Sequence, residues 1–269
     1  MARAVSSDPV RRSAGVWPKN RSPADNVVMP KGRRLDLSAF DDKLLDGLNF
    51  CRKVYDLIDQ VRAEPGGLAK LRLRAEKREK RLIEELHPIA RYIQARYRVG
   101  NRIKIRWLDG SQQFDAILWS PLLMVKNAGV PRKILLEVTT SIHKNAHLAR
   151  KLLQEQGGSF GPKSIRVNKK TRELISTPYE NVNDEGTNDL ASQIIARLKN
   201  KGQKKYPSNT VLIVNCEADS LVLEDEWNDA IQRVKSANLH APFREVFLVE
   251  STGLHWATLY GVRKRRAGR

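Results

Sequence analysis

Cysteine is almost absent: the chain has two in 269 residues, Cys51 and Cys216, with no CxxC pair and no zinc-type Cys/His spacing. That excludes a disulfide scaffold and fits a reducing compartment. No run approaches the roughly 18 apolar residues a membrane span needs, and the amino terminus lacks the apolar core of a secretory leader. The expectation is a cytoplasmic protein without a membrane partner. There is no P-loop, no GxGxxG and no HExxH, and Ser159, Ser164 and Ser176 have no nucleophile-elbow context. Walker-type, dinucleotide-binding, zincin and serine-hydrolase readings therefore have no motif to rest on. His143 and His147 stand four apart, which on a helix reads as polar surface rather than a metal pair. Internal repeats are absent too.

Acid is in deficit. Lys and Arg number 49 against 30 Asp and Glu, a net charge of +19. Residues 1–34 hold eight Lys/Arg and two Asp, and residues 261–269 hold five Lys/Arg and no acid. Their +6 and +5 leave +8 for the body. Basic arms on a basic body point to a polyanionic partner, nucleic acid above all, either DNA or RNA.

The pattern along the chain divides it into a disordered basic arm (1–34), an N-terminal helix (35–67), an α/β domain (68–262) and a basic tail (263–269). Ser38 and Asp41 predict a helix cap, and apolar residues from Leu44 to Val61 recur at helical spacing until Pro65-Gly66-Gly67. A second helical pattern covers about 68–97, with Pro88 expected to kink or break it. Strands are predicted near 102–108, 112–119 and 133–140, the first two joined at Asp109-Gly110. A helix at 143–156, a small basic hairpin at 164–176 and a helix at 187–201 follow. TVLIVNCE (210–217) reads as a buried strand. A helix at 223–237 and two strands around Thr252-Gly253 close the domain. A meander followed by helical crossovers into further strands predicts an α/β fold, a mixed sheet flanked by helices.

Two carboxylates break the apolar strand patterns: Asp115 in FDAILW and Glu137 in ILLEVT. Strand interiors disfavour carboxylates. Alternation puts Gln113, Asp115 and Ile117 on one face of their strand and Leu135, Glu137 and Thr139 on one face of the next. In neighbouring strands Asp115 and Glu137 can meet, and two close carboxylates repel unless a cation or shared proton compensates. Mg²⁺, or Mn²⁺ in its place, suits such a pair, because it needs few carboxylates and keeps waters and a substrate oxygen. Bound to a phosphodiester, such an ion polarises it and supplies a nucleophilic hydroxide.

Helix, β-meander, Asp in the second strand, Glu in the third and then helix resembles the PD-(D/E)XK nuclease superfamily, the restriction-endonuclease-like fold. The likeness spans about residues 68–262, mostly by element order. It implies a metal-dependent nuclease with Asp115 and Glu137 as metal ligands. Thr139 falls where that family usually has lysine, and Phe114 where the motif's name has proline. Threonine can hold a water but cannot supply the lysine's charge. Either a cation from elsewhere replaces it, with Lys144, Arg150 and Lys151 as candidates, or catalysis is weakened or lost. Many members carry a further acid on the helix before the meander. Among Glu79, Glu84 and Glu85, the helical phase favours Glu85. Lys169 and Lys170, with Lys144, Arg150 and Lys151, are the expected backbone contacts to nucleic acid. The alternative is a catalytically inactive nucleic-acid-binding or scaffold protein on the same fold. Such erosion is expected to pair Asp115 or Glu137 with Arg102, Lys104 or Arg106. A homodimer or protein partner is left open.

Overall fold

A computed structural model describes residues 35–97, 102–110, 112–120, 133–178, 185–217, 223–239 and 242–260. The chain divides into two units, Met1–Arg33 and Arg34–Arg269, and all described residues belong to the second. The expected basic arm and tail lie outside the described residues.

Among the described residues, seven strands form one mixed sheet in the order β1-β2-β3-β4-β7-β8-β9. Their spans are β1 Leu44–Asp46, β2 Lys104–Trp107, β3 Ala116–Trp119, β4 Lys133–Ser141, β7 Thr210–Cys216, β8 Glu245–Glu250 and β9 Trp256–Tyr260. β1 to β4 run as an antiparallel meander, β4, β7 and β8 are parallel, and β9 returns antiparallel. A short hairpin, β5 Ile165–Val167 with β6 Leu174–Ser176, stands as a second sheet. The α/β class with a mixed sheet flanked by helices is therefore what the chain adopts, and it is compatible with a restriction-endonuclease-like sheet.

The sheet is covered on both faces, which is why its central strands read as continuous apolar runs. On one face Leu136, Val138, Val211, Ile213 and Phe247 pack with helices α1 (Gly47–Ala63) and α4 (His87–Arg96). On the other, Leu212, Val214, Val246 and Leu248 pack with α6 (Glu185–Gly202) and α7 (Glu224–Ser236). All seven residues of β7 are buried. Helix α5 (Ala146–Gln156), expected to lie over the sheet, has α2 (Gly67–Leu73) and the 3₁₀ turn Pro162–Ser164 as its chief neighbours.

Two sequence expectations for the N-terminal helices need correction. The first helix begins at Gly47, not near Ser38. Asp46 is its cap, accepting from the amides of Leu48 (3.0 Å) and Asn49 (3.4 Å), while Ser38 bonds Asp36 instead. Leu44 and Leu45, which continue the helical spacing, form the edge strand β1 against β2. The pattern from 68 to 97 is also interrupted twice. Arg74 ends α2 in a left-handed conformation (φ 51°), and a π turn, Leu82–Leu86, follows the short helix α3 (Lys77–Arg81). Pro88 explains the π turn. It has no N–H for the carbonyl four residues back, and its ring crowds that carbonyl. The chain widens by one residue just before it, so that His87 N–H bonds Leu82 O.

The turn between β8 and β9 shows one position that favours glycine. Gly253 has φ +78°, and a Cβ there would lie 1.5 Å from Arg91 Nη1. Gly253→Ala is expected to cost about 1–3 kcal/mol through strained backbone and a displaced Arg91. Chemical denaturation of the two proteins checks this; equal midpoints and slopes would contradict it.

Candidate active site

The site lies where β3 and β4 part. Ala116 pairs with Leu136, so the next step of the antiparallel ladder sets Asp115 opposite Glu137, on one side of the sheet. β3 begins at Ala116, whereas β4 runs on to Ser141. Asp115 holds the junction. Its backbone N–H donates to Leu136 O (2.8 Å), and its Oδ2 accepts the Val138 N–H (2.6 Å), which the missing strand would otherwise have satisfied. The carboxylate that interrupts the strand pattern thus completes the ladder at its end.

Three carboxylates act on one another here. Asp115 has its pKa pushed up to about 7, first by burial, then by the charges of Glu137 and Glu85; the Val138 N–H and Lys201 oppose the rise. Glu85 is also raised, by burial first, with Arg81 and the Trp107 indole opposing and Glu84 and Glu137 adding to it. The Trp107 Nε1–H donates to Glu85 Oε2 at 3.3 Å. The π turn sets where these acids go. Glu84 pairs with Arg74 (3.2 Å), whereas Glu85 is the acid of the three candidates whose charge reaches Asp115. Glu79 is buried elsewhere in α3, at 6 % exposure.

Glu137 is buried and meets two groups that the sequence did not single out. Lys201 Nζ, from the last turn of α6, bonds Glu137 Oε1, and the Tyr206 hydroxyl reaches the same oxygen at 3.3 Å. The Tyr206 phenol is raised by burial and by Glu137 and Asp115. Thr139 shares the face of Glu137, two residues on, half-buried opposite Val214 of β7. The cation that stands by the site therefore comes from α6, not from α5. Of the expected replacements, Arg150 pairs with Glu217, Lys151 pairs with Glu155 at 3.7 Å, and Lys144 is exposed in the turn before α5. Lys169 and Lys170 are exposed at the tip of the β5–β6 hairpin. Arg106 pairs with Asp42 instead, and among the described residues neither Asp115 nor Glu137 pairs with Arg102, Lys104 or Arg106. The signal for Lys201 was faint: a lysine closing an amphipathic helix that must cross over β4 to reach β7.

What the donors can hold follows from their free oxygens. Asp115 Oδ1 and Glu137 Oε2 carry no hydrogen bond among the described residues. Two carboxylate oxygens, completed by water, suit a hard cation such as Mg²⁺. Among the described residues no group of three or more His, Cys, Asp or Glu side chains is arranged to hold a metal ion, so Asp115 and Glu137 would hold one as a pair completed by water. Both cysteines are buried and free, with the Cys51 thiol pushed up to about 12 by burial, so neither is a ready ligand. Among the described residues no helix is long and apolar enough to cross a membrane.

No family model, curated protein or solved structure matches this chain.

Proposed function

We propose that the chain is a divalent-cation-dependent phosphodiesterase acting on DNA or RNA, built in the manner of the PD-(D/E)XK nucleases. The observation that carries this reading is the convergence of Asp115, Glu137 and Glu85 from three different elements, with Lys201 beside them, in a chain of net charge +19. Asp115 and Glu137 hold Mg²⁺ or Mn²⁺. When bound, the ion polarises the scissile phosphate and acidifies a water. The chain's own groups do the rest. Lys201 supplies the positive charge that Thr139 lacks, Thr139 accepts or donates a hydrogen bond to the attacking water, and Glu85 sets the charge of Asp115. Exposed Lys144, Lys151, Lys169 and Lys170, with the basic segments 1–34 and 263–269, attract the phosphate backbone.

A second reading has a specific observation behind it. Thr139 occupies the usual lysine position and Lys201 already neutralises Glu137, which suits a nucleic-acid-binding protein on the same fold that no longer cuts.

The deciding experiment is a cleavage assay of the full chain on single- and double-stranded DNA and RNA. Cleavage with Mg²⁺ or Mn²⁺ and none with EDTA is expected. Protein that binds these substrates at about 50 mM salt, where phosphate contacts are strong, yet leaves all four intact with either ion, would select the binding protein.

A further inference from the structure

A cavity of about 360 Å³ opens on the α1/α4 side of the sheet. Its floor is at the carboxyl ends of β7 and β8, where Asn215 and Ser251 lie. Parallel strands in open α/β sheets place ligands at that end. The volume falls within the range of small-molecule sites, about 300–1,000 Å³.

The charges around the cavity do not balance. Four arginines line it, Arg62, Arg72, Arg74 and Arg91, against one lining carboxylate, Asp59. Arg62 leans on Asp59 at 3.5 Å, and Arg74 is held by Glu84 and Glu217. Arg72 and Arg91 pair with no carboxylate among the described residues. Arg91 instead donates from Nε to His87 Nε2 (3.2 Å), hydrogen-bonds the Tyr55 hydroxyl and rests against Gly253. His87 accepts that bond because it is neutral: burial, with Arg91, Arg62 and Arg74 around it, pushes it down to about 4. Two guanidinium groups without counter-charge suit a dianion, since their planar forks match phosphate oxygens in pairs. Apolar side chains, Ile58, Leu71 and Ile83, line it as well. A cavity that joins arginines to apolar side chains suits an anion with an organic body rather than a bare ion.

We propose that this cavity binds a small phosphomonoester of nucleotide size, its phosphate on Arg72 and Arg91 and its organic body on Ile58, Leu71 and Ile83. The phosphate belongs either to a free nucleotide or to the phosphorylated end of a nucleic-acid strand. The inference does not rest on the cleavage reading, because none of these residues belongs to the Asp115–Glu137 site.

Calorimetric titration of the full chain at about 150 mM salt, where non-specific phosphate attraction is weakened, tests it with adenosine 5′-monophosphate as the probe and adenosine as control. Saturable one-to-one binding of the monophosphate is expected, with adenosine binding at least about ten-fold more weakly, the loss of one charge-assisted contact or more. Arg72→Gln and Arg91→Gln should each weaken the monophosphate about ten-fold or more. Arg72 is exposed, so its variant keeps the fold if Arg91→Gln does not. Lys235→Gln on α7, and Asp115→Asn, should leave this binding unchanged. Competition by a 5′-phosphorylated but not a 5′-hydroxyl oligonucleotide would assign the phosphate to a strand end; competition by neither would assign it to a free nucleotide. Equal binding of adenosine, no saturable binding of the monophosphate, or full affinity in a folded Arg72→Gln protein would each overturn the proposal.

Discussion

Asp115→Asn is expected to yield a protein more stable than its parent at pH 8 and without cation-dependent cleavage. The stability side follows from proton linkage. Asp115 titrates near 7 when folded against 3.8 as a free side chain. Below about pH 4 both states are protonated and Asp115 has no effect on folding. As pH rises from there to 7 the unfolded chain ionises first, so folding loses stability, and the loss levels off above the folded pKa. Roughly three pH units at 1.36 kcal/mol each set its upper size at about 4 kcal/mol. Asparagine cannot ionise but keeps the Oδ that accepts the Val138 N–H, so the variant escapes the penalty without opening the β3–β4 junction. Its advantage should be largest at pH 8 and shrink toward pH 5. Mg²⁺ should raise the melting temperature of the parent by mass action and leave the variant unmoved. Cleavage should fall on the order of 10³-fold with the loss of a metal ligand and its charge, and Glu137→Ala should do the same while keeping nucleic-acid affinity. Melting curves at pH 5 and pH 8, with and without Mg²⁺, make the test. An asparagine variant no more stable than its parent at pH 8 would remove the strained carboxylate cluster on which the active-site reading stands.

This trade of stability for charge explains which parts of the molecule were readable in advance. Where local rules and packing agree, as in the continuous apolar runs of β7 and β4, sequence spacing led directly to the strand. Asp115 and Glu137 were visible because they break that agreement, and such breaks collect where function outweighs stability. The elements misread were those in which two local signals compete. Leu44 and Leu45 satisfy a helical repeat and a two-faced edge strand equally well, and only pairing with β2 decides between them. The π turn arises from a covalent fact about Pro88 whose effect appears two to six residues upstream. Lys201 lies in α6, whereas Glu137 lies in β4, and their meeting depends on where the crossover sets the end of that helix. No pattern within a window of sequence contains that distance. The arginine cavity was invisible for the same reason: its arginines come from α1, α2, the residue that ends α2, and α4, and each alone reads as a solvated charge.

Lys201→Met is expected to lower cleavage by about 10²-fold, the scale of losing one charged transition-state contact, and Thr139→Lys in that background to restore part of it. Lys201 bonds Glu137 and lowers the Asp115 pKa against the rise that burial and the neighbouring carboxylates cause. Removing its charge leaves Glu137, Asp115 and Glu85 facing one another with less compensation, so the acid limb of the pH–rate profile should move up. Met keeps an apolar stem of similar length, which limits the change to the charge. Position 139 lies on the Glu137 face, two residues along β4, so a lysine there returns a positive charge to the same side of the sheet. A merely structural Lys201, present only to neutralise a buried carboxylate, would give a different outcome. Lys201→Met would then melt earlier with an unshifted pH profile, and Thr139→Lys would rescue nothing. Lys201→Arg separates charge from geometry further: it keeps the positive charge but replaces a compact ammonium with a planar fork. Activity retained in Arg and lost in Met would assign the effect to charge. Loss in both, with rescue by Thr139→Lys, would assign it to an ammonium that must come close to the attacking water.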